Sequence, residues 1–521
     1  MKVRALVATL AVVGLVLLAG AGVSLAPASS PDPDTRAISS ETDPSAIITA
    51  ESMYNRIYFL ANDALQGRDT PSRGLEVAAA YLVSEHRRMG SAPGMDDSYY
   101  QRWPYRLMAP DVDAVALSLE GEGGSQAVEV GSNAAVRGGA LGEISGDLLL
   151  VGSSEGAPAA GSMEGKVAVF ALPLTDGWSN QVRALSLRQA RFAAASGAVA
   201  TIHLLGPEAT PELVGELAEQ LADPARFMGE EFPSPQLYLT RDAAEGAVPG
   251  LAQAVDGLSD DETREVDGRL HGQLPMEILD DAHPPNVVAV IPGSDPVLRD
   301  EYVVLSAHFD HVGIGQPMDG DSIYNGADDN ASGTSALLEV ARAINAMPEA
   351  PRRSVMFTHV SGEEKGLLGA DWFVENPPVP IESMVANINA DMIGSDTHQD
   401  TLVVIGKEYS SLGPLVDDIN ASMPELGLVT SDDLWPEQRF FYRSDQFHFM
   451  RKEIPSLFFF TGVHECYHRP CDTADFIDPD KAARIARLLT LSVLEIANAD
   501  ARPEWDAAGL AEVRELTGTG R

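Results

Sequence analysis

Apolar and polar positions alternate in two different ways along the chain. From Asn286 to Asn498, short continuous apolar runs alternate with stretches whose apolar residues recur every three to four positions. Continuous runs are typical of strands buried on both faces, and the periodic stretches between them are typical of helices. This segment therefore predicts an α/β fold, with a sheet of mixed direction that carries helices on both faces.

Between about residues 111 and 269 the pattern changes to short β-rich runs separated by glycine-containing turns. One helical stretch in this segment leads into the apolar run VATIHLLG. The change predicts an inserted, β-rich second unit, with the main domain over 47–110 and 270–500. The residues from 501 to 521 are polar and predict a C-terminal tail.

The first residues have the features of an export signal. Lys2 and Arg4 precede an apolar run, and a small-residue cleavage site, A-P-A, ends at Ala28. We expect a signal peptide over 1–28 and a linker, rich in proline, serine and aspartate, over 29–46. The expected location is periplasmic or extracellular, with an uncleaved N-terminal membrane anchor as the alternative. No later stretch has the roughly 18 apolar residues that a spanning helix needs, so no membrane span is expected once the signal is removed.

Composition narrows the range of partners. The formal net charge of −41 argues against a basic surface for nucleic acid. A content of 45% hydrophobic and 22% charged residues is that of an ordinary globular protein. The two cysteines, Cys466 and Cys471, flank one short segment, and in an exported protein they are expected to form a disulfide.

Several predicted strands end in side chains that bind metals. The run YVVLSAHFD ends in His308 and Asp310, and the loop after it contains Asp328 and Asp329. Later strand ends supply Glu363, Glu364, Asp391, His464 and His468. Sites in open α/β sheets lie beyond the carboxyl ends of the strands, so these side chains are expected to converge. Imidazoles with carboxylates suit zinc, and a shared carboxylate holds two ions about 3.5–4 Å apart.

Five of these motifs, in this order, resemble peptidase family M28, the co-catalytic zinc aminopeptidases. They are His308-Phe309-Asp310, D-x-x-S-G from Asp329 to Gly333, Glu363-Glu364, Asp391-Met392 and Tyr467-His468. The resemblance covers about residues 47–500 and implies a zinc aminopeptidase-like fold. The N-terminal LANDALQGRDTPSRG and the insert over 111–269 also resemble members that carry a protease-associated domain.

The resemblance implies two zinc ions per chain. Asp329 would bridge them, Glu364 and His468 would complete one site, and His308 and Asp391 would complete the other. The D-x-x-S-G register chooses Asp329 for the bridge and leaves its neighbour, Asp328, in the loop or in a supporting contact.

The resemblance also implies hydrolysis of N-terminal peptide bonds, with peptides as substrates. Glu363 would be the general base, because the neighbouring Glu364 stays ionised on the metal. Tyr467 would donate a hydrogen bond to the developing oxyanion. Asp310 would accept from the second ring nitrogen of His308 and fix its tautomer.

Other interpretations remain open. His464 to His468 matches H-E-x-x-H, but that motif binds zinc only on a helix, and Gly462 and Pro470 flank it here. Among relatives, glutaminyl cyclases use one zinc, and the complete ligand set argues against them. Non-catalytic peptide-binding relatives lose ligands or the base, and this chain retains all of them.

A carboxypeptidase of acidic peptides is the nearest alternative, because it would use the same zinc site. Its substrates end in a carboxylate that basic side chains must hold, and Arg439, Arg443 and Arg451 are candidates. The remaining histidines near the motifs are expected to be structural and not metal ligands: His311, His359 and His448.

Overall fold

A computed structural model describes residues 43–140, 142–154, 159–174, 177–228 and 234–518. The predicted signal peptide, and the predicted linker up to residue 42, lie outside the described residues. Within the described residues, no helix combines the length and the apolar character needed to cross a membrane.

The segment before the insert supplies two helices and three short strands: α1 (Ala50–Leu60), α2 (Arg73–Met89), β1 (Ala92–Pro93), β2 (Tyr100–Arg102) and β3 (Tyr105–Pro110). The side chain of Thr49 caps α1 by accepting from the main-chain N–H of Ser52. Gly90 ends α2 in the left-handed conformation that glycine adopts readily.

The inserted segment is β-rich, as predicted. Its strands are β4 (Ala116–Gly121), β5 (Gly124–Ala127), β6 (Ala134–Arg137), β7 (Ile144–Val151), β8 (Lys166–Leu172), β9 (Ala200–Leu205), β10 (Ala225–Phe227), β11 (Gln236–Leu239) and β12 (Thr263–Gln273). Its helices are α3 (Asn180–Ala195), α4 (Pro211–Leu221), α5 (Arg241–Ala247) and α6 (Leu251–Asp256). Eight strands form one sheet in the order β5-β4-β12-β7-β8-β9-β11-β6, with its own apolar core. Its assignment as a protease-associated domain stays a prediction.

The C-terminal segment supplies the remaining elements. Its strands are β13 (Met276–Ala282), β14 (Pro285–Ile291), β15 (Tyr302–His308), β16 (Gly313–Met318), β17 (Asp321–Tyr324), β18 (Ser354–Val360), β19 (Met384–Ala390), β20 (Thr401–Ile405), β21 (Val429–Ser431) and β22 (Ser456–Phe460). Its helices are α7 (Gly333–Asn345), α8 (Leu368–Glu375), α9 (Leu412–Ser422), α10 (Gln446–Arg451), α11 (Pro479–Asn498) and α12 (Ala507–Thr517).

Helix α12 lies in the segment that the polar composition predicted to be a tail. Val513 is buried there, and Arg514 donates to Glu453 at 2.8 Å. A helix that buries one valine and is held by one ion pair leaves too little apolar periodicity in the sequence to be predicted from it.

The largest sheet has nine strands and mixed direction, as predicted. Its order is β1-β14-β18-β15-β19-β22-β20-β21, and β2 also pairs with β14. The four central strands, β18, β15, β19 and β22, are parallel, whereas β14 and β20 are antiparallel to their central neighbours. The carboxyl ends of the central strands therefore meet at one edge.

Helices cover both faces of this sheet, which confirms the predicted architecture. On β15, Val303 and Leu305 belong to the apolar core that includes α1, α2, α7 and α11. The residue between them, Val304, points to the other face, where it packs with Phe373 of α8 and Phe449 of α10. Burial on both faces explains why these strands are continuously apolar.

Candidate metal centre

The predicted ligands come together at the shared carboxyl edge of the central strands. His308 is the last residue of β15, and Asp391 directly follows β19. Glu363 and Glu364 follow β18, and His468 lies in the loop after β22. Asp329 lies in the irregular turn that precedes α7. Parallel pairing alone is thus enough to bring four separate chain segments to one place.

On one side of the site, His308 faces two carboxylates. Its Nε2 lies 3.2 Å from Oδ1 of Asp391 and 3.3 Å from Oδ1 of Asp329. The other oxygen of Asp391 accepts a hydrogen bond from the Ser444 hydroxyl at 2.6 Å. Ser444 therefore fixes the orientation of Asp391, a role that no sequence motif indicated.

On the other side, His468 faces the second oxygen of the same aspartate. Its Nε2 lies 3.1 Å from Oδ2 of Asp329 and 3.1 Å from Oε2 of Glu364. Asp329 thus directs one oxygen towards each imidazole, with His308 and Asp391 on one side and His468 and Glu364 on the other. This is the division of the five predicted ligands that the sequence motifs imply.

Asp328 points away from these groups. Its Oδ1 accepts from the main-chain N–H of Gly394 at 2.6 Å, and its Oδ2 lies 3.2 Å from Nε2 of His464. The segment from His464 to His468 is a series of turns, so its two histidines do not share a helix face. The helical H-E-x-x-H interpretation therefore lacks the geometry that it needs.

Asp310 supports the site in a different way from the one predicted. Nδ1 of His308 lies 3.2 Å from the main-chain oxygen of Asp310 but 3.7 Å from its carboxylate. That carboxylate instead accepts from the Thr70 hydroxyl at 2.9 Å and from the main-chain N–H of Glu363 at 3.3 Å. The main chain of Asp310 fixes the tautomer of His308, and its side chain positions Glu363.

Two further residues hold the loop that carries Asp329. The carboxylate of Asp472 accepts from the main-chain N–H groups of Asp328 and Asp329, at 2.8 and 3.1 Å. The buried Arg68 donates to the main-chain oxygens of Phe309 and Gly326, at 2.8 and 2.9 Å. Both are far from the loop in sequence, so local patterns do not reveal them. The predicted disulfide between Cys466 and Cys471 is present in the loop of His468.

A pocket opens beside Glu363 and Asp391. Its apolar lining consists of Met392, Phe440, Phe458, Phe460 and Val463. Tyr467 and Arg443 also line it, and Nη2 of Arg443 donates to the Tyr467 hydroxyl at 3.4 Å. The predicted oxyanion donor therefore lies at the pocket next to the ligands.

The buried carboxylates strongly perturb one another and the histidines. Burial raises the pKa of Glu363 well above its ordinary value; the imidazole of His308 opposes this rise, and Glu364 and Asp391 add to it. Burial lowers the pKa of His308, but the carboxylates of Asp391 and Glu363 outweigh burial and raise it well above its ordinary value. The site thus concentrates negative charge away from water.

This arrangement fits a zinc site. Two groups of side chains have ligand atoms within 4.8 Å of one another: His308, Glu363 and Asp391, and His311, Asp329 and Glu364. Oε1 of Glu364 is buried and has no hydrogen-bond partner in the described residues. Carboxylates and imidazoles are ligands that suit zinc, and a bound cation would offset the cost of burying their charge.

Comparisons with known proteins agree with this chemistry. Residues 286–493 match the model of peptidase family M28. The aminopeptidase YwaD of Bacillus subtilis is 25% identical over 211 residues, which are 39% of this chain and 43% of YwaD. A probable zinc metalloprotease of Leptosphaeria maculans is 36% identical over 115 residues, which are 22% of this chain and 25% of that protein. The chain thus spans less than half the length of these two relatives.

Among solved structures, the chain resembles BSAP, a zinc aminopeptidase from Bacillus subtilis. The TM-score is 0.45 at 18% sequence identity, over 87% of this chain and 97% of the other.

Proposed function

Residues 286–493 match the model of peptidase family M28, and from this match we propose that the protein is an exported aminopeptidase of this family that uses two zinc ions per chain. The carboxylate of Asp329 carries the proposal, since its two oxygens lie 3.3 Å from His308 and 3.1 Å from His468. A carboxylate between two such ligand sets is suited to bridging two ions. The signal-like first 28 residues and the disulfide support export.

The side chains divide the chemistry among them. When bound, a pair of zinc ions polarises the scissile carbonyl and makes an attacking water more acidic. Glu363 takes the proton from that water and passes it to the departing amine, while Asp310 holds its main chain in place. The Tyr467 hydroxyl, in contact with Arg443, donates to the oxyanion that develops on the carbonyl oxygen.

The pocket beside Glu363 selects the first residue of the substrate. Five apolar side chains line it, four of them either aromatic or methionine. Burial of an apolar side chain against them is favourable. The expected substrates are therefore peptides whose N-terminal residue is apolar.

The arginines argue against the carboxypeptidase alternative. Of the three candidates for holding a terminal carboxylate, only Arg443 lines the pocket. Arg451 donates to Asp371 at 3.0 Å, and Arg439 stacks over Tyr442 at 5.0 Å. A single arginine that already contacts Tyr467 is a weak clamp for a substrate carboxylate.

Two matched peptides test this function. One has a free N-terminal leucine and an amidated C-terminus, and the other has an acetylated N-terminus and a free C-terminal glutamate. The zinc-loaded protein is expected to release leucine from the first and to leave the second intact, with products identified by mass spectrometry. A chelator should abolish the release, and zinc should restore it. Cleavage of the second peptide alone, or of neither, would refute the proposal.

A further inference from the structure

His311 does not behave as an ordinary buried histidine. It lies three residues after the end of β15, and its side chain is fully buried. Neither ring nitrogen has a hydrogen-bond partner among the described residues. Buried polar groups are nearly always hydrogen-bonded, so an imidazole with no hydrogen bond at either nitrogen beside a candidate metal site requires an explanation.

The short contact of His311 with Glu364 points to a cation. Nδ1 of His311 lies 2.8 Å from Oε1 of Glu364, yet the two atoms are not aligned for a hydrogen bond, and neither atom makes a hydrogen bond to any of the described residues. Nδ1 also lies 3.7 Å from Oδ2 of Asp329. Two lone-pair-bearing atoms this close repel each other unless a proton or a cation lies between them. Because the two atoms are not aligned for a hydrogen bond, a cation that binds both of them accounts for the contact better than a shared proton does.

His359 provides the contrast within the same sheet. It is equally buried, but the Nε2 of His86 lies 3.0 Å from its own Nε2, so the two rings can share one proton in a hydrogen bond. Among the residues that the structure describes, no carboxylate contacts that pair. From the sequence, His311 and His359 are both expected to be structural histidines. In the structure, His311 contacts a carboxylate, whereas His359 contacts another imidazole.

The loop that carries Asp329 is built to accommodate the ring of His311. Gly326 has a φ of +61°, and a Cβ at this position would lie 2.5 Å from Cγ of His311. Only glycine allows the chain to pass this close to the ring in that conformation. The main-chain N–H of His311 also donates to the oxygen of Arg68 at 3.3 Å, which holds the other side of the residue.

We propose that His311 is a further ligand, through Nδ1, of the ion held by Asp329, Glu364 and His468. The inference rests on the proposed two-zinc function. The rings of His311 and His468 have centres 5.6 Å apart and planes at 78°. With zinc–nitrogen bonds of about 2.0–2.1 Å, two imidazoles on one ion have ring centres roughly 5–6 Å apart. The observed separation fits a shared ion.

The extra imidazole makes the two metal positions unequal. The ion beside His308 has one imidazole with Asp329 and Asp391, whereas the ion beside His468 has two imidazoles with Asp329 and Glu364. More protein ligands mean tighter binding, so the first equivalent of zinc is expected to occupy the position that contains His311.

A crystal structure of the zinc-loaded chain tests the ligation directly, with the ions located by anomalous scattering at the zinc edge. The expected result is Nδ1 of His311 at about 2.0–2.1 Å from the ion next to His468. An ion there with this nitrogen beyond about 3 Å would overturn the inference and leave the proposed function intact. Absence of zinc from Asp329, Glu364 and His468 would overturn both.

The His311→Gln variant tests the same point in solution. Zinc affinities are measured by competition with a chelator, on chains whose fold is checked by circular dichroism. We expect the tighter of the two affinities to fall by roughly 100-fold, at the upper end of the losses seen when metal-site contacts are removed. His271→Gln, which alters a half-buried histidine of β12 that pairs with Glu120, is the matched control and should bind as the wild type does. Equal affinities in all three proteins would overturn the inference.

Discussion

Asp328 and Asp329 show how neighbouring side chains of one type acquire different roles. Both are buried, but Asp328 is held by Gly394 and His464, whereas Asp329 faces the two imidazoles of the site. The sequence register D-x-x-S-G predicts this division. Local spacing does not reveal that Asp472 supports this loop, because Asp472 is more than 140 positions away along the chain. At the residue scale, motifs predict ligands better than they predict what orients them.

Glu363 has two possible roles at this scale, base or metal ligand. Its carboxylate is close enough to His308 and Asp391 to act as a ligand. If it is the base, Glu363→Gln keeps the shape of the side chain but cannot take a proton. Turnover of the leucine peptide should then fall by about 10²–10⁴-fold, with zinc content unchanged.

The control for this variant is Glu465→Gln, which alters an exposed glutamate in the loop of His468 and should retain full turnover. Loss of one equivalent of zinc from Glu363→Gln would instead identify Glu363 as a ligand. Retention of substantial turnover would exclude it as the base.

At the scale of elements, one ion-pair cluster joins α1 to α7 beneath the site. Glu339 of α7 is fully buried; it accepts from Arg56 of α1 at 2.5 Å and from Ser52 at 2.7 Å, and it pairs with Arg342. Helix α7 begins at Gly333, the last residue of the D-x-x-S-G motif. The cluster therefore holds the helix from which the loop of Asp329 extends.

We predict that Glu339→Ala destabilises the fold by about 3 kcal/mol, because it leaves buried arginine charge without its partner. Denaturant unfolding at neutral pH measures the loss. Glu349→Ala, which removes an exposed glutamate after α7, should cost far less.

The effect of Glu339 should depend on pH. Burial raises its pKa, but the charges of Arg56 and Arg342 outweigh burial, and the net pKa lies below the ordinary 4.5. The stabilisation is therefore complete above about pH 4.5 and is lost as pH falls through the lowered pKa of the folded state. The stability difference between wild type and Glu339→Ala should shrink in that range, and a difference that stays constant down to pH 3 would contradict the assignment.

The same scale shows where sequence patterns succeed and where they fail. The central strands and α7 are predictable because each is one continuous stretch whose apolar positions follow the pattern of a buried strand or helix. Helix α12 was missed, since only Val513 of its apolar residues is buried. The supporting role of the Asp310 carboxylate was also misassigned. Spacing indicates that Asp310 is near His308, but it does not reveal that the Thr70 hydroxyl donates to one oxygen of Asp310 and the main-chain N–H of Glu363 to the other.

At the scale of the whole molecule, the site depends on segments that flank the insert. The ligands lie between His308 and His468, within the family match, yet Thr70 and Arg68 from the N-terminal segment contact the strands and loops that carry them. Strands β3 and β13, which flank the insert, pair with each other. This organisation agrees with a catalytic domain composed of two separated segments, although its boundaries remain a prediction.

The number of zinc ions bound per chain tests the central claim most directly. The full chain is purified without chelator and saturated with zinc; free metal is then removed, and bound zinc is measured by inductively coupled plasma mass spectrometry. We predict two equivalents per folded chain, because Asp329 separates two sets of ligands. One equivalent at saturation, or none, in a chain that circular dichroism shows to be folded would contradict the two-zinc peptidase site.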